Sequence, residues 1–192
     1  MKKIINFSKV VLGAGMLLFT MNSCKQEPKR EDPVEAAEEI NDEKIENNEV
    51  KDDASFLTEA TEINIKEIEI GKLAKQKAAS TDIKKYAQML IDDHTKALEE
   101  LKAVANENTI TLPAAISNEG KEDYDKLNEK SGVEFDKEFI DMMVDGHEKA
   151  VDKMTEISQK ATNEDFKLWA SRQTSTFLTH FEQAKKLKEK IK

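Results

Sequence analysis

The chain has 192 residues, 36% of them charged, and a formal net charge of −9 at pH 7. That length suits one domain with appendages, and the acidity excludes the basic patches that nucleic-acid binding requires and opposes direct adsorption to anionic lipid. A single cysteine excludes an intramolecular disulfide.

Met1-Lys2-Lys3 leads into an apolar run from Val10 to Phe19, followed by Asn22-Ser23-Cys24. A basic start, a short apolar core and a small residue before a break predict a secretory signal over residues 1–23, too short to span a bilayer comfortably. Cys24, directly after it, stands where bacterial lipoproteins carry their lipidated cysteine, although Met21 replaces the commoner Leu. The expected partner is therefore a membrane, reached through an N-terminal lipid anchor in which each buried CH₂ contributes about 0.8 kcal/mol. The expected location is the cell envelope, facing the periplasm or the cell surface. Lys25 rather than Asp follows the cysteine, which points toward the outer membrane. Removing the three signal lysines takes the charge to about −12. Residues 24–53 are predicted to be a disordered acidic tether: from Lys25 to Asp53 there are twelve acids against five bases, with Pro28 and Pro33, too little apolar surface to offset ordering entropy. A short helix around residues 34–50 is the one element considered there.

From residue 54 to 192 the only proline is Pro113, no strand-like alternation occurs, and Ala, Lys, Glu and Leu abound, a composition that predicts an all-α domain. Four long helices are expected. The first spans about 54–79 with a stripe at Phe56, Ala60, Ile63, Ile70 and Ala74. The second, about 80–108, starts with Ser80-Thr81-Asp82 as capping chemistry and carries Ile83, Ala87, Leu90, Ala97, Leu101 and Ala105. A loop broken by Pro113 and a short helix near 118–130 lead to the third, about 134–160, and the fourth begins after Thr162-Asn163. Similar lengths, two tight turns and one longer crossing predict an up-down-up-down, ferritin-like four-helix bundle.

Each stripe has one polar interruption: Glu67, His94, His147 and His180 in turn. Counted from the two turns, Glu67 and His94 lie fourteen and thirteen residues from Thr81, and His147 and His180 sixteen and seventeen from Asn163. At 1.5 Å per residue each pair matches in height to about 2 Å. The four residues are candidate ligands of one transition metal, zinc, iron or copper, since imidazole and carboxylate suit all three; an unperturbed imidazole would stop ligating below about pH 6. The competing reading is a non-catalytic structural or interaction domain with a polar core, in which Thr174, Thr176, Gln183, Asp92, Asp93 or Asp145 satisfies the histidines. Met89, Met142, Met143 and Met154 read as gap-filling core residues. No nucleophile or acid–base constellation beyond the four residues suggests an enzyme.

The stretches SFLTEATEINIKEIEIGKLAKQKAAS, DIKKYAQMLIDDHTKALEELKAVA, EFDKEFIDMMVDGHEKAV and TFLTHFEQA resemble the domain-of-unknown-function 4142 family, exported bacterial proteins often described as outer-membrane proteins. The resemblance covers about Ser55 to Lys188 and implies a ferritin-like bundle; the family has no established activity. The residues three before His94, His147 and His180 are Ile91, Val144 and Phe177, not the carboxylates of a di-iron centre. A single Glu/His₃ site is the expectation instead.

Overall fold

A computed structural model describes residues 31–191. The expected signal and Cys24 lie outside the described residues. Six helices and no strand occur among them: α1 Pro33–Lys44, α2 Asn48–Lys77, α3 Thr81–Glu107, α4 Asn118–Asn128, α5 Gly132–Lys160 and α6 Glu164–Lys190. Four of them begin on side-chain caps, Asp32, Asn47, Ser117 and Asn163, each accepting from a backbone N–H in the first turn. Pro33 enters α1 where its missing N–H costs nothing.

The expectation of a disordered tether is corrected for residues 33–53, which form α1 and the start of α2. Overall polarity suggested solvation, but specific polar groups here are tied to the bundle. Asn41 is buried; its amide donates to the Thr111 carbonyl and its oxygen accepts from the Thr111 N–H, both at 2.8 Å. Ala37 is buried beside it and Asp32 reaches the N–H of Asn118 at 2.7 Å. Several of the acids that suggested a coil, Glu35, Glu39, Asp42 and Glu43 among them, lie on the exposed side of α1.

The long helices form two antiparallel hairpins, α2–α3 and α5–α6, and each hairpin's turn is held by a buried carboxylate of the other. Asp53, on α2, accepts from the N–H groups of Thr162 and Asn163 and from the Thr162 hydroxyl, at 2.7–2.8 Å. Asp136, on α5, accepts from the N–H groups of Ala79 and Ser80 at 2.9 and 2.8 Å. These contacts place the α5–α6 turn beside the start of α2 and the start of α5 beside the α2–α3 turn. The connection from α3 to α5 therefore traverses the bundle, and α3 and α5 run parallel. This corrects the up-down-up-down topology to up-down-down-up, the single-crossover connectivity of ferritin-like folds. The traverse is made by α4, which lies along α2 through Lys66–Asp123 at 2.6 Å and Lys77 on the Asn128 carbonyl.

Capping at Ser80 differs from expectation too: its side chain makes no cap bond, and Asp136 takes its N–H instead. Gly71 in mid-α2 permits close helix approach, since a Cβ there would lie 3.3 Å from the Ala87 carbonyl oxygen and 3.1 Å from Ile91. Leu57, Ala60 and Ile70 are buried, whereas the expected stripe members Phe56 and Ile63 pack only partly covered at the margin. Met143 and Met154 are buried core as expected.

Two apolar clusters fill the bundle. One holds Leu57, Leu101, Met154, Phe166, Trp169 and Phe177; the other holds Ile70, Ile83, Leu90, Phe135, Phe139 and Ile140. Between them lies a layer of buried polar residues. The carboxylate–turn contacts set the hairpins against one another at that layer's height. Asp53→Ala would strand two backbone N–H groups and a hydroxyl in a part-buried position, a loss of about 3 kcal/mol. The melting temperature should fall by roughly 6–12 °C, while the exposed Glu43→Ala stays within about 0.5 kcal/mol of the parent. Equal melts for the two variants would show that the turn is not held by this carboxylate.

Candidate metal centre

All four long helices contribute to the polar layer. Asn64 and Glu67 come from α2, one helical turn apart and so on one side of it; Asp93 and His94 come from α3, His147 from α5 and His180 from α6. His94, His147 and His180 are buried, and one ring nitrogen of each lies within 4.8 Å of the other two. Their ring centroids are 5.2–5.7 Å apart. Phe177 stacks on His94 at 4.8 Å and closes that side of the cluster with an apolar ring.

Hydrogen bonding at the outer nitrogens fixes what the inner ones can do. His147 Nδ1 is 2.9 Å from the Met143 carbonyl oxygen, which can only accept, so Nδ1 carries the proton and Nε2 a lone pair. His180 Nε2 lies 2.9 Å from Asp93 Oδ2, so Nε2–H donates to the carboxylate and Nδ1 keeps the lone pair. The Asn64 amide nitrogen donates to the Ala60 carbonyl at 2.7 Å, which leaves Asn64 Oδ1 to accept from His94 Nδ1 at 3.0 Å. His94 Nε2 is then a buried acceptor with no hydrogen-bond partner. His147 Nε2 and His180 Nδ1 face each other at 3.2 Å. In the neutral tautomers three lone pairs converge, each on a ring whose other nitrogen is held by an acceptor, the outer-shell arrangement that orients metal-ligating histidines.

The local electrostatics keep His94 and His180 neutral. Burial, reinforced by His147 and His180, holds His94 well below the usual imidazole range. Burial likewise pushes His180 down to about 4, against the opposing pull of Asp93 and with some help from His147. The Asp93 contact is therefore an imidazole N–H donating to a carboxylate. Glu67 is raised above the ordinary carboxylate range by burial, partly offset by His147 and Lys66. Tyr86 packs below the layer and donates to the His180 carbonyl at 3.1 Å.

The three predicted histidines thus converge, and Glu67 stands beside them without joining the group of mutually close donor atoms. Its Oε2 is buried with no hydrogen-bond partner, and it lines a cleft between α2 and α5. Of the residues considered as histidine partners, Asp93 fills that role for His180. Asp92 instead accepts from Gln88, and the Thr174 and Thr176 hydroxyls turn back to their own helix carbonyls. Asn64 was not among the sequence candidates. The available signal was its spacing: three residues before Glu67 and four after Ala60, it lies on the core side of α2.

No curated protein matches the chain. The solved structure of CopM in the Cu(II)-bound form superposes with a TM-score of 0.63 at 22% identity, covering 72% of this chain and 96% of that chain; at that identity the likeness is one of fold. The family model described as "Domain of unknown function (DUF4142)" matches residues 38–187, from within α1 to the last turn of α6. The stretches that carried the resemblance all fall inside that match, and the chain belongs to the domain-of-unknown-function 4142 family.

Proposed function

We propose that this protein is a lipid-anchored envelope protein whose helical bundle binds one transition-metal ion through His94, His147 and His180. The observation that carries the metal reading is the 3.2 Å approach of His147 Nε2 to His180 Nδ1, with both outer nitrogens already committed as donors. Two facing lone pairs repel; a cation between them, shared with the unpartnered His94 Nε2, turns the repulsion into ligation. Three imidazoles suit zinc, iron and copper, and the usual affinity order puts Cu²⁺ tightest. The fold likeness to a protein solved with Cu(II) supports the same class of ligand. The competing reading, a metal-free polar core, needs a proton shared between His147 and His180. It would make a buried imidazolium in a site whose burial disfavours charge.

The anchoring half of the proposal rests on the signal-like start and on Cys24. No helix among the described residues is long and apolar enough to cross a membrane. Cys24→Ala should shift the protein from the membrane to the soluble fraction; a variant that still sediments with membranes would show another means of attachment.

A metal ion that binds the folded state alone stabilises it by mass action. At 100 times the dissociation constant the gain is about 2.7 kcal/mol, or roughly 5–10 °C in melting temperature. The full chain, stripped with chelator and then given Cu²⁺, Zn²⁺ or Fe²⁺, should show that shift, and His147→Ala should abolish it. No shift with any ion at neutral pH would leave the polar-core reading in place.

The pH dependence follows from the depressed histidines. His180 titrates at about 4 when folded and near 6.5 when unfolded, so the unfolded chain binds the extra proton. The metal-free protein should be fully stabilised by this residue above about pH 6.5 and lose stability as pH falls toward 4, by about 3 kcal/mol. Protons compete poorly for His94 and His180, so the metal-dependent shift should persist below about pH 6 rather than fading there. Melts across pH 4–7.5, with and without the ion, test both statements; a flat metal-free profile would contradict the first.

A further inference from the structure

We propose that the cleft between α2, α4 and α5 is the route by which the ion reaches the three histidines, with Glu67 as the group that receives it and passes it inward. The inference rests on the three-histidine reading. The cleft encloses about 370 Å³. Its apolar walls include Ile63, Ile70 and Met143, and Glu67 and Gly146 stand at its inner side. Glu67 is 7% exposed, and its Oε2 is shielded from solvent without a hydrogen-bond partner. His147 is near enough to act on its charge. One carboxylate therefore borders both the cleft and the histidine layer.

Gly146, directly before His147, keeps the passage open. A Cβ there would lie 3.4 Å from Glu67 Oε1, an ordinary contact, so alanine fits but a branched side chain would occupy the space in front of the carboxylate. Glycine inside a long helix costs about 1 kcal/mol relative to alanine, and no steric need of the backbone accounts for it at this position. The charges around the cleft also admit a cation. Lys66 is neutralised by Asp123 at 2.6 Å, and Lys153 by Glu59 and Glu156 at 2.6 and 2.9 Å. Asp145 and Lys149 line the cleft from α5 with opposite charges. Two other sides of the cluster are covered. Toward the half-exposed Asp93 the His180 ring itself stands between solvent and the inner nitrogens, and Phe177 covers His94.

The test is stopped-flow uptake of Zn²⁺ by the metal-free full chain, followed with a chromophoric competing chelator, together with the equilibrium affinity. Glu67→Gln keeps shape and removes charge; uptake should slow about tenfold or more, with affinity within about threefold of the parent. Gly146→Val should slow uptake and release alike and leave affinity unchanged, whereas Gly146→Ala should behave as the parent. Lys149→Glu, a surface change at the same cleft that does not threaten folding, should speed uptake and steepen its salt dependence. Affinity lost with uptake unchanged in Glu67→Gln would make Glu67 a ligand and overturn the route. Unchanged uptake in Gly146→Val and Lys149→Glu would overturn it as well. A parent protein that takes up no ion would instead defeat the three-histidine reading, a result separable from either.

Discussion

Two buried carboxylates align this bundle. Asp53 and Asp136 each leave one hairpin and accept the free backbone N–H groups at the turn of the other. Helix packing alone tolerates sliding by a ridge, about a turn of helix, because the apolar stripe repeats. A charge-assisted bond to a specific pair of N–H groups does not tolerate it. Because one such contact stands at each end, the hairpins are fixed in height and the polar residues of four helices meet in one layer. A slip of one turn, 5.4 Å, would carry His147 and His180 past His94 and disperse the cluster.

The same alignment explains which parts of the fold were legible beforehand. Within each hairpin, register follows from counting residues from a tight turn, and Glu67, His94, His147 and His180 were paired by that count alone. Between hairpins nothing in the stripes specifies register, since the information resides in Asp53 and Asp136, and aspartates in a chain with 39 acids read as solvated surface. The direction of the crossing was hidden for a related reason. The 24 residues between α3 and α5 can either loop back at one end or traverse the bundle, and what decides is the lateral contact of α4 with α2. A short helix near 34–50 was considered, but its attachment to the bundle was hidden because composition averages over residues, whereas Asn41 alone makes two bonds to Thr111.

The site divides along the same line. That three histidines face inward could be read from periodicity, because an inward position depends only on the residue's own helix. Their protonation pattern could not, since it depends on partners from elsewhere: Asn64 on α2 for His94, Asp93 on α3 for His180, and a carbonyl one turn back for His147. Glu67 shows the limit of the inward criterion. It satisfies the stripe and the height count, yet its carboxylate lies toward the α2–α5 cleft rather than among the ring nitrogens.

The layer also interrupts what would otherwise be one apolar core, and this bears on why it exists. Leu, Ile or Ala at these positions would join the clusters on either side, burying further apolar surface at about 25 cal/mol per Å². Instead the bundle holds an unpartnered His94 Nε2 and an unpartnered Glu67 Oε2, each costing about 1–3 kcal/mol when buried and unmatched. A polar layer retained only for fold specificity would be expected to satisfy its own members, as the outer histidine nitrogens here are satisfied. Two buried hydroxyls further along α2, Thr58 and Thr61, also lack partners, but within the layer the deficit falls on an inner nitrogen and on the carboxylate beside it. Buried acceptors left open on one side and held rigidly on the other are complementary to a cation, and the local stability surrendered by the free protein would be recovered by one that bound there.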